Sequence, residues 1–179
     1  MTRAGSVYGE ALFSLAREEQ LDKTLLEQLL VLLESFRQEP DFLRLLANRS
    51  IPGERRLAVL EESFRGRIHE YVLNFLKLLT EKGHIQSFSD CVSTYQTLYY
   101  EQQNILPVHA VTAVALSAEQ QGRLTDKLAA MTGKSILLTE TVDPAVLGGI
   151  RLEYAGQELE DTVRRRLDDL RSLLTNTVL

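Results

Sequence analysis

Residues 105–116 read ILPVHAVTAVAL, and the way this run is taken decides the fold. Up to about residue 104 the apolar residues recur three and four apart, the mark of helices. From Val108 onward the run is β-branched and apolar on both faces, as a buried strand would be. A change of period at Leu106-Pro107 implies two folding units, 1–105 and 106–179. The reading is α+β: an N-terminal six-helix bundle followed by a small C-terminal β-α-β-β-α domain.

Upstream of this run, Tyr8, Leu12 and Leu15 mark a first helix, with Val7 and Ala11 alongside. Leu21, Leu25, Leu29, Leu32 and Phe36 mark a second. Pro40 breaks the chain before DFLRLLA, a short third helix, and Pro52 suits the first turn of a fourth carrying Leu57, Leu60 and Phe64. The fifth is the most regular, with Ile68, Tyr71, Val72, Phe75, Leu76 and Leu79, and it ends at Gly83, where a left-handed cap residue is expected. Ile85, Phe88, Val92, Tyr95 and Tyr99 trace a long sixth.

Downstream, Ser117 and Gln120 form a capping box that opens a helix through Leu124, Leu128 and Met131. SILLTETV is a second strand, and IRLEY alternates Ile150, Leu152 and Tyr154 against Arg151 and Glu153 as a half-buried third. Ala155-Gly156 makes a tight turn, and Val163, Leu167, Leu170 and Leu174 close the chain as an amphipathic helix.

Composition narrows the function. The 179 residues are 44% hydrophobic, enough for a real core, and the net charge of −5 argues against a dedicated nucleic-acid binder. One cysteine, Cys91, allows no intrachain disulfide. The N-terminus lacks the apolar core of a secretory signal, and no apolar run approaches the ~20 residues of a membrane span.

Catalytic patterns are missing. Gly133-Lys134-Ser135 could end a phosphate-binding loop, but Leu128 stands where that loop needs glycine, and a helix enters the stretch where a strand should. His69, His84 and His109 have no metal-ligand spacing among themselves or with Cys91. Glu158 and Glu160 are two acids without a partner chemistry. The expectation is a binding protein with no enzymatic activity, cofactor, metal or nucleotide.

Residues 142–170, VDPAVLGGIRLEYAGQELEDTVRRRLDDL, resemble the C-terminal signature of the delta subunit of bacterial F-type ATP synthases, the family of the oligomycin-sensitivity-conferring protein. The matching positions include Asp143, Pro144, Gly148, Gly149, Gly156 and Asp161. Val7–Phe13, Asn74–Leu79 with Gly83, and Leu116–Gln120 resemble that family's first helix, fifth helix and entry to the C-terminal helix. The chain departs from the pattern at Ala155-Gly156-Gln157, Arg164-Arg165 and Asn48-Arg49.

The resemblance implies a non-catalytic stator subunit that links the catalytic head of a proton-translocating ATP synthase to its peripheral stalk. It implies that the helical domain binds N-terminal helices of alpha subunits and that the C-terminal domain binds the b subunits. It places the protein peripherally on the cytoplasmic face of the cell membrane, within the complex and without inserting. Tyr8, Ala11, Leu12, Asn74 and Leu78 are the candidate groove residues for the alpha helix, because the first and fifth helices carry more apolar surface than one core-facing stripe needs. Gly148 and Gly149 read as backbone devices. The alternative is a free-standing helical adaptor whose C-terminal domain binds a small ligand or RNA.

Overall fold

Six helices in the first part of the chain bury one apolar stripe each. The computed structural model describes residues 2–146, 148–154 and, for the backbone alone, 157–162. The chain divides into two units, Met1–Tyr99 and Tyr100–Leu179. The first holds α1 (Arg3–Glu18), α2 (Asp22–Gln38), α3 (Pro40–Ala47), α4 (Gly53–Phe64), α5 (Glu70–Glu81) and most of α6 (Phe88–Gln102), which follows a 3-10 turn at Ile85–Ser87. The expected long sixth helix is therefore shorter, because its first residues wind as that tighter turn.

The core of this unit is Leu25, Leu29, Leu32 and Phe36 of α2, Val72, Leu76 and Leu79 of α5, and Phe88, Val92 and Tyr95 of α6, joined by Leu46 and Leu60. Phe36 ties four helices together: its ring stacks on Phe42 at 5.7 Å and meets Phe64 and Phe88 edge-on at 6.3 and 5.2 Å. Burying each such side chain is worth about 1.5–3 kcal/mol. The Tyr95 hydroxyl, carried into the core, donates to the Asp22 carbonyl at 2.9 Å, so this hydroxyl is not stranded there.

Helix ends are closed by identifiable groups. The Thr2 hydroxyl accepts the Gly5 N–H at 3.1 Å, and the Thr2 N–H donates to Asp90 Oδ2 at 2.7 Å, which fixes the start of α1 to α6. Hydrogen bonding from the Thr2 side chain and backbone holds the Asp90 carboxyl below its usual range. His69 caps α5, its Nδ1 accepting the Tyr71 N–H at 3.2 Å. Gly83 ends that helix at φ +73°, with His84 N–H bonded back to the Leu79 carbonyl at 2.7 Å and Gly83 N–H to that of Thr80 at 3.2 Å. The Arg56 guanidinium serves two more ends, donating to the carbonyls of Leu46 at 2.8 Å and Thr80 at 3.4 Å.

The buried side of α1 differs from the expected row of Tyr8, Leu12 and Leu15. It is Gly5, Gly9, Leu12, Phe13 and Ala16, while Leu15 is about one third exposed, at 37%. The two glycines let α1 approach α6 backbone to backbone. A Cβ on Gly5 would sit 2.3 Å from Asp90 Cβ, and one on Gly9 would sit 2.6 Å from the Cys91 carbonyl oxygen.

The second unit is a four-stranded sheet in the order β2-β1-β3-β4. Strand β1 (Ile105–Thr112) pairs in parallel with β2 (Ser135–Val142), and α7 (Ala118–Thr132) makes the crossover between them. Strand β3 (Gly149–Tyr154) runs antiparallel to β1 and to β4 (Gln157–Thr162). Leu106, Val108 and Ala110 of β1, Leu128 of α7 and Leu152 of β3 form its core, with Leu124, Ile136, Leu138, Ile150 and Tyr154 packed around them. The Ser117 capping box is present, and Gly133 closes α7 at φ +68°.

Two readings of this half are corrected. The sheet has a fourth strand where β-α-β-β-α allowed three. QELEDT carries one apolar residue, Leu159, so its hydrophobic alternation is too sparse to read, and its antiparallel ladder with β3 makes the strand. Strand β1 also stops at Thr112, short of the apolar run's end at Leu116. There the Leu116 N–H donates to Glu140 Oε1 at 2.7 Å, and Val114 is exposed. The Ala155-Gly156 turn and the closing helix of Val163, Leu167, Leu170 and Leu174 lie outside the described residues.

Candidate partner-binding surface

Helix α1 presents a second apolar row on the side turned away from the core. Val7, Ala11 and Leu15 follow at four-residue steps, and all three are exposed, Val7 at 56% and Leu15 at 37%. Tyr8 sits half-buried beside this row, its ring 5.8 Å from that of His84, just past the end of α5. On α5 the exposed apolar residue is Leu78, at 38%, one turn beyond exposed Asn74. Leaving side chains of this size in water forgoes about 25 cal/mol per Å², so a helix that carries such a row has apolar area to offer a partner.

The five candidate groove residues divide accordingly. Tyr8 and Ala11 belong to the accessible side of α1, and Asn74 and Leu78 to the accessible side of α5. Leu12, 5% exposed, belongs to the core and has little surface left to offer. Leu73, which the sequence places off the core stripe of α5, is buried as well. Asn74 also borders a cavity of mixed lining, with Glu61, Arg65, Glu70 and Lys77 beside Ile68 and Leu73. In that cavity Lys77 and Arg65 both pair with Glu61, and these two bonds, that from Lys77 first, hold its carboxyl below the usual range.

The sequence offers Val7 and Ala11 as apolar surface beside the core row but places Leu15 in that row, so the continuous outward row emerges only in the structure. The signal was Gly5 and Gly9, a pair four residues apart that marks the side of close helix contact and so turns Leu15 outward.

In the second unit the matching signature residues build turns. The Asp143 N–H donates to the Thr112 carbonyl at 2.8 Å, and its Oδ1 accepts the Ala145 N–H at 2.9 Å. Pro144 opens the 3-10 turn Pro144–Val146. Gly148 and Gly149 take φ of +138° and +87°, a backbone that side chains disfavour. Asp161 lies opposite Ile150 in the β3–β4 ladder, and Gly156 lies outside the described residues. Glu140 is the polar centre of this unit. Its carboxylate accepts from Leu116 N–H, the Thr112 hydroxyl at 2.9 Å and Gln121 Nε2 at 3.0 Å, which lowers its pKa, the Leu116 bond foremost. Exposed apolar residues here are Val114, Met131, Leu137 and Val142.

The remaining chemistry-bearing groups have structural partners. Cys91 is buried, and burial, followed by the neighbouring Asp90 charge, pushes its thiol up to about 11, far from a reactive thiolate. The His109 ring meets the Thr139 hydroxyl at 3.1 Å. Gly133-Lys134-Ser135 is a helix end followed by the first residue of β2, the reverse of a phosphate-binding loop. Among the described residues no group of His, Cys, Asp and Glu could hold a metal ion, and no helix is long and apolar enough to cross a membrane.

Comparison with known proteins gives a consistent result. The family model for the ATP synthase delta (OSCP) subunit matches residues 5–174. The ATP synthase subunit delta of Alkaliphilus oremlandii is 31% identical over 168 residues, covering 94% of this chain and 93% of that one. The corresponding subunit of Fusobacterium nucleatum is 31% identical over 170 residues, with 95% and 97% covered. A chain of the Toxoplasma gondii mitochondrial ATP synthase hexamer shares the fold, with a TM-score of 0.75 at 18% identity over 98% of both chains.

Proposed function

The chain belongs to the ATP synthase delta (OSCP) subunit family, and from that premise we propose how it divides its work. It is a non-catalytic subunit of the ATP synthase assembly with a stator role in the peripheral stalk. The free-standing adaptor reading gives way to this one.

In our reading residues 1–105 form the family's six-helix bundle and receive an N-terminal helix of an alpha subunit. Residues 106–179 hold the b subunits. The complex then places the protein peripherally, on the cytoplasmic face of the membrane. Such a link has to resist torque without chemistry, and both halves offer what that needs, exposed apolar side chains on rigid elements. The observation that carries the alpha-subunit assignment is the outward row Val7–Ala11–Leu15 on α1, with Tyr8 beside it and Leu78 on α5. A four-residue repeat of apolar side chains is what an amphipathic helix lays its own apolar face against. In the second unit the exposed Val114, Leu137 and Val142 support a contact with the stalk.

Ala11→Asp tests the reading. Ala11 is exposed, so the variant is expected to fold with an unchanged melting temperature. A carboxylate there would be desolvated without a partner on docking. Binding of a synthetic alpha-subunit N-terminal peptide, followed by calorimetry, should weaken by at least about tenfold, or ~1.4 kcal/mol. Full-strength binding by folded Ala11→Asp and Leu78→Asp variants would move the groove elsewhere.

A further inference from the structure

Among the described residues the sheet has two edges, β2 and β4, and they are built differently. Strand β4 carries Glu158, Glu160 and Asp161 among its six residues, and charge on an edge discourages pairing with another chain. Strand β2 reads SILLTETV and holds no proline, glycine or lysine. Its one charged side chain, Glu140, is turned to the Leu116 N–H, the Thr112 hydroxyl and Gln121, all of this chain. Its register with β1 runs without a bulge from Ser135 to Val142. No residue of β2 is buried, whereas most of β1 is.

Alternation along the strand tells which backbone groups of β2 are open. In a parallel ladder the N–H and C=O of one residue point to the same side, and successive residues point to opposite sides. The Ser135 N–H donates to the Asn104 carbonyl at 3.0 Å, and the Asp143 N–H to that of Thr112 at 2.8 Å, so the odd-numbered residues face β1. The backbone groups of Ile136, Leu138, Glu140 and Val142 therefore point to the open edge. Among the described residues none of these backbone groups has a hydrogen-bond partner.

We infer that the edge of β2 receives an extended segment of the partner that holds the second unit, and that this segment adds to the sheet as a further strand. This rests on the reading above that a partner subunit holds the second unit. A row of outward main-chain donors and acceptors is matched by another strand and not by a helix, whose own groups are paired internally. Leu137 at 41% exposure and Val142 at 47% flank the row, with Thr139 and Thr141 exposed between them. Such neighbours select a guest with uncharged, apolar or β-branched side chains in alternate positions. A second copy of this chain fits less well. The strand makes a strip about 26 Å long and one strand wide, far below the ~800 Å² per partner of a stable interface. A segment of a partner already held elsewhere on the chain meets the edge at high effective concentration and needs no such area.

The test is residue-resolved amide hydrogen exchange on the full chain, free and within the assembled ATP synthase. In the free chain the amides of Leu138 and Glu140 should exchange quickly, and those of Leu137 and Thr139, which face β1, slowly. In the complex the first pair should slow by at least about tenfold while the second pair changes little. Val142→Pro removes one outward donor and no bond to β1, a place where a strand edge tolerates proline. The folded variant should lose the added protection at Glu140 in the complex. Leu137→Lys, a charge at an exposed edge site, should do the same and serves if the proline unfolds β2. Added protection shared equally by both pairs, as a cover over the sheet face gives, overturns the strand addition and leaves the partner contact standing. Outward amides that stay fast in the complex overturn it likewise, as does protection that appears in the free chain as its concentration rises, the sign of a second copy. A chain that does not join the assembly overturns both readings.

Discussion

The two units reach order by different routes. In the helical unit Leu25, Leu29, Leu46, Leu60, Val72, Leu76 and Leu79 are all at or near zero exposure, and a cluster of phenylalanines joins α2, α3, α4 and α6. In the sheet unit the buried cluster among the described residues is Leu106, Val108, Ala110, Leu128 and Leu152, and three of those retain 8% exposure. There the backbone ladders and the Glu140 carboxylate supply much of the ordering. A deep core tolerates torque by packing, whereas a shallow sheet depends on hydrogen bonds between segments distant in sequence.

Matched truncations give the largest test. Leu76→Ala, at a site with no exposure, should cost about 3–5 kcal/mol in the unfolding of the helical unit. Leu152→Ala should cost about 2 kcal/mol in the sheet unit, because part of the cavity opens to water. Circular dichroism melts of both variants read the two effects, and equal losses would break the contrast. Next comes Gly9→Ala, which sharpens the claim that α1 depends on close backbone approach to α6. The added methyl meets the Cys91 carbonyl and Thr94, and the expected loss is about 1–3 kcal/mol in chemical denaturation.

The smallest effect concerns Glu140. Its folded pKa lies below the ordinary value of 4.5, so its contribution is complete above that value and is lost as the pH falls through the lowered one. Glu140→Gln should therefore flatten the acid limb of the sheet unit's stability as the pH falls below the ordinary carboxylate range, leaving that of the helical unit in place. An unchanged acid limb would show that this carboxylate does not organise the unit.

Much of this was legible from side-chain type and spacing. The α2 stripe Leu25, Leu29, Leu32 and Phe36 follows from period alone, because its large apolar residues recur three and four apart. The caps at Ser117, Gly83 and Gly133 were legible because each satisfies a specific backbone need. Strand β4 was not, since a ladder stabilises through backbone bonds to β3 that leave little trace in side-chain composition. Of the candidate groove residues, Tyr8, Ala11, Asn74 and Leu78 keep accessible surface, whereas Leu12, which spacing assigns equally to the core row of α1, is buried.

The amino-acid sequence by itself determined the two periods, the helix ends and the family, since these depend on neighbours within a few residues or on the order of motifs along the chain. The tertiary structure alone decided which side of α1 faces out. Gly5 and Gly9 set that rotation by admitting the α6 backbone, so that Leu12 turns inward and Val7 and Leu15 turn outward. It also decided that Arg49 lies over Gly83, more than thirty residues further along the chain. Local spacing cannot supply such facts, because a helix with two apolar faces buries whichever one its neighbour's shape allows.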